Sequence, residues 1–331
     1  MNKRKTVGLV LMLCFVLASA FLVALAFGAA DIPFQDVKAF IFSRYQNENT
    51  LILKELRLPR VLASALAGMA LAVSGAYMQG MTRNALASPS LFGITAGASA
   101  VLALSLALFQ GMDQYGVLLA CLTGSTASGL LVFFISLRGR HSLSNNKTVL
   151  AGAAVSTLLY AVADAISLRF TSSKQMAMWA SSGLIGVTME EIFIVLPIII
   201  IGSFTALVYS KKLTLVSLDE ELAVSLGENV KQLRIIFFFM VTCLTGAAIA
   251  LSGSLVFIGL VIPHFVRRLV GGDYRNIVPF SMFTGAVFMI LADLLSRTIN
   301  APYETPVTAI MAVASYPIFL YVVRNGGIAS D

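Results

Sequence analysis

At 331 residues, 58% apolar and only 12% charged, with a mean hydropathy of +0.89, the chain lies far from soluble globular proteins, in which about half the residues are apolar and about a quarter charged. It reads as an all-α, polytopic membrane protein. The net charge of +7 sits in short basic clusters between apolar runs, as orientation signals do and a nucleic-acid surface does not, so nucleic acid is excluded as a partner.

The chain opens on MNKRKTVGLVLMLCFVLASAFLVALAFG, a basic prefix followed by an apolar run, with ASA at 18–20 placed like a cleavage site. The run exceeds the roughly 7–15 residues of a signal-peptide core and matches a span of about 20, so a retained first helix is expected over 6–28. The following external segment, 29–60, contains PFQDVKAFIFSRY, where Phe34, Val37 and Ile41 fall at helical spacing and predict a helix lying flat on the outer leaflet. Further spans are predicted over 61–81, 91–109, 116–137, 148–168 and 192–210. Small residues recur in them, in ASALAG at 63–68, GITAG at 93–97 and GSTASG at 124–129, which lets helix backbones approach closely in lipid. Cys14, Cys121 and Cys243 fall inside apolar runs without metal-ligand spacing and read as packing residues.

A cytoplasmic loop is predicted over 211–234, KKLTLVSLDEELAVSLGENVKQLR. Asp219, Glu220 and Glu221 crowd the first turn of a short helix, where acids favour the positive end of its dipole, and Gly227 stops it. Leu218, Leu222 and Leu226, with Val224, form an apolar stripe. Two readings stand: a surface helix resting on the bundle, or a docking helix for a cytoplasmic partner.

The stretch 235–266 is too long for one span and short for two, with Ser252-Gly253-Ser254 as its natural break; spans over 277–296 and 306–323 follow. Basic residues should concentrate on the cytoplasmic side. Counting 235–266 as two elements puts 15 of the 23 Lys and Arg residues inside, whereas a single span gives only 12. Ten membrane elements with both termini cytoplasmic are therefore expected, in one transmembrane domain over 1–331. That topology leaves Arg57, Arg60 and Arg297 at the external mouths of helices, either snorkelling to headgroups or awaiting the acids of an external partner.

Asp164 and Asp293 are the acids inside spans. Asp293 lies four residues before Arg297, which predicts an intrahelical ion pair. Asp164 is five residues from Arg169, a poorer match, and is a candidate for the translocation path, with bonding to neighbouring helix hydroxyls as the alternative. Neither His141 nor His264 has partners at metal-ligand spacing, so no metal is assigned.

The RLPR start at 57–60, the run SGAYMQGMTRNALASPSLFGITAGA, the loop LTLVSLDEELAVSLG, and the segments FIGLVIPHFVRRLVGGDYR and YETPVTAI together resemble the FecCD/BtuC-type permeases of bacterial ABC importers for ferric siderophores, haem and cobalamin. The resemblance covers nearly the whole chain in order. It implies a ten-helix bundle of the type II importer kind in the bacterial cell membrane, working with a second permease subunit (identical or paralogous), two cytoplasmic ATPases and an extracytoplasmic substrate-binding protein. It implies that Arg57, Arg60 and Arg297 receive acids of the binding protein, and that Leu218, Asp219, Glu220, Glu221, Leu222, Leu226 and Gly227 belong to the helix that couples to the ATPase. It also places Asn84, Leu86, Asn145 and Asn146 near a cytoplasmic gate, although asparagine more ordinarily forms turns. Many members carry Gly at the position of Asp219 and Pro at that of Ala85; loss of the proline is expected to loosen the turn after Asn84.

The sequence contains no GxxxxGK[ST] motif, so ATP and Mg are expected on a separate ATPase chain, with no cofactor held here and no catalysis of its own. A ferric siderophore is the expected cargo, haem and cobalamin the alternatives. A proton- or ion-driven secondary transporter with Asp164 or Asp293 as carrier is the competing class, but its characteristic internal repeat is not visible.

Overall fold

The computed structural model describes residues 3–28, 32–42, 47–109, 111–137, 146–170, 184–255 and 257–326. Among them the regular elements are helical: α1 (Lys3–Ala26), α2 (Phe34–Phe42), α3 (Glu48–Ile52), α4 (Leu58–Thr82), α5 (Ile94–Leu108), α6 (Gln114–Leu137), α7 (Asn146–Arg169), α8 (Met189–Leu218), α9 (Glu220–Ser225), α10 (Val230–Ser252), α11 (Ile258–Val270), α12 (Tyr274–Thr298) and α13 (Val307–Gly326). A π-helical turn, Leu53–Arg57, joins α3 to α4, and a 3₁₀ turn, Pro89–Phe92, precedes α5.

Helix α4 is the hub, packed along α12, α10, α11 and α8, with most of its residues buried inside the chain. Its small residues make this possible. A Cβ on Gly68 would collide with the backbone carbonyl of Gly285 in α12, and one on Gly75 with that of Gly259 in α11, so three helix axes close to a distance only glycine permits. Helix α7, by contrast, is mostly exposed, although an apolar helix of 24 residues is costly to leave facing water; its free face awaits lipid or protein.

Among the described residues, seven helices are long and apolar enough to cross a bilayer: those over 8–26, 48–82, 114–135, 150–169, 189–218, 230–252 and 274–298. The ten-span expectation is thus met by length for seven. The apolar helices 94–108 and 307–317 are shorter, and α11 has 13 residues, about 20 Å at 1.5 Å per residue against a core of about 30 Å. Helices α5 and α11 are short because irregular segments lead into them. In the second, α10 ends at Ser252, Gly253 takes φ 67°, and Phe257 caps α11 in the left-handed region at φ 75°. The 235–266 stretch therefore breaks at the expected serines and glycine.

One boundary differs from expectation. Helix α8 does not end near 210 but runs 30 residues to Leu218, since nothing in KKLTLVSL breaks it; the irregular part of the 211–234 segment is confined to 219–229 around α9. In the 29–60 segment, α2 buries Val37 against the chain and exposes Phe34, while Asp36 accepts from Asn47 Nδ2 (2.8 Å) and Asn49 Nδ2 (2.6 Å), tying α2 to α3.

Candidate functional site

At one end of the bundle, the three arginines expected to face an outside partner are buried: Arg57 is 5% exposed, Arg60 8% and Arg297 3%. Helix α1 ends here, and its last four carbonyls need hydrogen-bond donors. Val23 O accepts from Phe27 N (2.8 Å), Ala24 O from Arg297 Nη2 (3.3 Å), and Leu25 O and Ala26 O from Arg57 Nη1 (2.8 and 2.7 Å). Two cations thus close the negative end of a helix dipole.

Arg60 turns the other way. Its Nε donates to Asp293 Oδ1 at 2.7 Å, and its Nη1 to both oxygens of Glu304 at 2.7 and 2.9 Å. Asp293, fully buried, reaches Arg297 Nε at 3.1 Å through its other oxygen. The expected intrahelical pair is present, but as one edge of a larger network whose exposed member is Glu304, at 28%. The picture of arginines standing free at helix mouths is corrected: a guanidinium buried at this depth must be paired, and these are paired within the chain. Glu304 was missed by sequence reading; its one signal was an acid in YETP on the same predicted side as Arg297.

At the other end, Asp219 caps α9, its side chain accepting from Glu221 N at 2.7 Å, and Gly227 follows at φ 84°. Leu218, Leu222, Val224 and Leu226 are exposed at 65, 45, 60 and 60%, so the stripe is uncovered, while Ala223 seats the helix. Glu220 is ion-paired with Arg83 and Arg234, which sequence reading did not link to it.

Asn84 and Leu86 sit in the turn after α4. Asn84 Oδ1 accepts from Leu86 N at 2.9 Å and Asn84 O from Ala87 N at 3.1 Å, so the turn expected to be loose without proline is tied by the asparagine itself. Asn145 lies outside the described residues, and Asn146 begins α7. Asp164 is exposed on α7, and among the described residues no hydrogen bond or ion pair reaches it, so the alternative of a bond to a neighbouring helix hydroxyl is not seen.

The model of the FecCD transport family matches residues 14–325. The chain is 38% identical, over 95% of its own length and 82% of the other's, to the iron(3+)-hydroxamate import system permease protein FhuB of Bacillus subtilis. It is 35% identical, over 91% and 90%, to the Fe(3+)-citrate import system permease protein YfmD of the same organism. Among solved structures, an inward-facing ABC transporter assigned to the metal-chelate type superposes with a TM-score of 0.83 at 26% identity, covering 97% of this chain and 99% of that one.

Proposed function

The chain belongs to the FecCD transport family, and on that footing we propose that it is the transmembrane permease subunit of an ATP-binding-cassette importer that moves a ferric siderophore across the bacterial cytoplasmic membrane. The observation that carries this is likeness to permeases of ferric-hydroxamate and ferric-citrate import along more than nine-tenths of the chain. Iron travels inside its chelate; ATP and Mg belong to a separate ATPase.

The working unit has two permease subunits, two ATPases and an external binding protein. In this reading the membrane elements number ten, α5, α11 and α13 joining the seven long helices, with both termini cytoplasmic and one transmembrane domain over 1–331. An irregular backbone at membrane depth, as before α11, is tolerated where protein or a water-filled cavity covers it, which suits a path wall. Asp164 supports the same placement, because an ionised carboxylate facing lipid costs about 2.5–3.5 kcal/mol while one facing a second permease subunit across water does not.

Leu222 of α9, with Leu218 and Leu226 flanking it, is the seat for the ATPase. Asn84, Leu86, Asn145 and Asn146 form the cytoplasmic gate. The binding protein docks over Arg57, Arg60 and Arg297, but its acids meet a closed network and not free cations; Arg60 is reached by displacing Glu304.

The test is uptake of radiolabelled iron by a strain lacking this gene, supplied in turn as hydroxamate, catecholate and citrate chelates. Loss of uptake of one chelate class, restored by the gene, is expected. Unchanged uptake of all three, with loss of haem or cobalamin uptake, would replace the cargo.

A further inference from the structure

Helix α9 is held by little. It has six residues, a length that is not helical by itself, and one fully buried side chain, Ala223. The ground beneath it is firm: Thr214 near the end of α8 is bonded to Asp273 Oδ1 (3.0 Å) and to Tyr274 N (3.0 Å) at the start of α12, and Lys212 Nζ is 2.9 Å from Glu228. The remaining attachment of α9 is ionic. Glu220 Oε1 lies 3.2 Å from Arg83 Nη2 and is also paired with Arg234 Nη2.

Those two cations belong to different parts of the bundle. Arg83, at φ 52°, ends α4, the central helix, immediately before the turn tied by Asn84. Arg234 stands in the first turns of α10, its side chain 15% exposed against 30% for Arg83 and 26% for Glu220. One carboxylate thus separates two guanidiniums that would otherwise repel, and it is the bond through which α9 holds both helices.

We propose that Glu220 is a positioning residue: it transmits displacement of α9 to the end of α4, and so to the 84–87 turn, and to the start of α10, while the exposed leucines do the docking. This rests on α9 being the seat of the ATPase. A shift of α9 by a few ångströms must then either carry Arg83 and Arg234 with it or leave two like charges facing each other, and the second is unfavourable. The carboxylate makes the three elements move together.

The experiment uses the complete importer in proteoliposomes, with a ferric trihydroxamate delivered by its binding protein, and reads chelate transported per ATP hydrolysed together with the amount of ATPase that co-purifies. Glu220→Gln is expected to keep the ATPase and lower chelate per ATP at least about fivefold, the small end of coupling between sites. Because that variant leaves Arg234 without its carboxylate, Glu220→Gln with Arg234→Gln is measured beside it; it should keep the wild-type unfolding temperature and remain poorly coupled, a result that instability does not produce. Wild-type chelate per ATP in the double variant overturns the proposal. So does loss of the ATPase from a folded Glu220→Gln protein, which would make Glu220 a docking contact. Leu222→Arg serves as the separate arm: retention of the ATPase by that variant refutes the docking reading itself, whatever Glu220 does.

Discussion

Arg60 and Asp293, 233 positions apart in sequence, meet at 2.7 Å where α4 and α12 reach the same end of the bundle. Both are buried, and Arg297 approaches the second oxygen of the same carboxylate. Removing one partner of such a cluster leaves the others charged and dry. Asp293→Asn should therefore cost about 3–5 kcal/mol, whereas Glu304→Gln, at the 28%-exposed rim, should cost about 1 kcal/mol or less. Thermal unfolding of the purified protein in detergent reads both; equal losses would mean that Asp293 is not the centre of the network.

The carbonyl end of α1 gives a local test. Arg57→Gln removes the donor to Leu25 O and Ala26 O, leaving one buried and one half-buried acceptor short of partners. Amide exchange over 23–28 should quicken while the 274–298 helix keeps its protection. Unchanged exchange at the end of α1 would show that the arginine does not hold it.

Close helix contact is predicted to be intolerant of a single methyl group. Gly68→Ala places a Cβ against the Gly285 carbonyl and Met289 Cβ, and should destabilise by about 1–3 kcal/mol. Gly8→Ala, with nothing within 4 Å, is the control and should not destabilise. A neutral Gly68→Ala would mean that α4 and α12 sit further apart than described.

For the exposed stripe of α9, Leu222→Arg should leave the permease in the membrane and abolish co-purification of the ATPase, because a charge would have to be buried in the partner's groove. Normal recovery of the ATPase with that variant would remove α9 from the interface.

What the sequence disclosed was whatever is local. The stop at Gly253, the short helix with acids at its start and Gly227 after its end, and the Asp293 to Arg297 pair one helical turn apart are written in neighbouring residues, and each is found in place, although Asp219 proves to cap that helix and not to belong to its first turn. The small residues of α4 announced close packing but not against which helix. The role of the arginines was not legible for the same reason. Charge counting placed Arg57, Arg60 and Arg297 together on one side, correctly grouping residues that the structure brings to one end of the bundle, but hydropathy and charge patterns say nothing about which helix end or which acid a guanidinium will find. Glu220 was read as a dipole partner of its own helix, since Arg83 and Arg234 reach it only through the packing of α9 beside α4 and α10.

Asp164 is the residue on which the ATP-driven and ion-driven readings part, being an exposed acid within a span. As a wall of the path it should tolerate Asp164→Asn with reduced uptake; as a proton carrier it should not.

The most direct measurement is uptake of a ferric trihydroxamate into proteoliposomes holding this chain with its second permease subunit and ATPase, supplied with binding protein, with ATP clamped and a protonophore added. The permease reading predicts uptake that requires ATP and is unaffected by collapse of the proton gradient. Uptake that proceeds on a proton gradient without ATP, and stops when the gradient is collapsed, would contradict it.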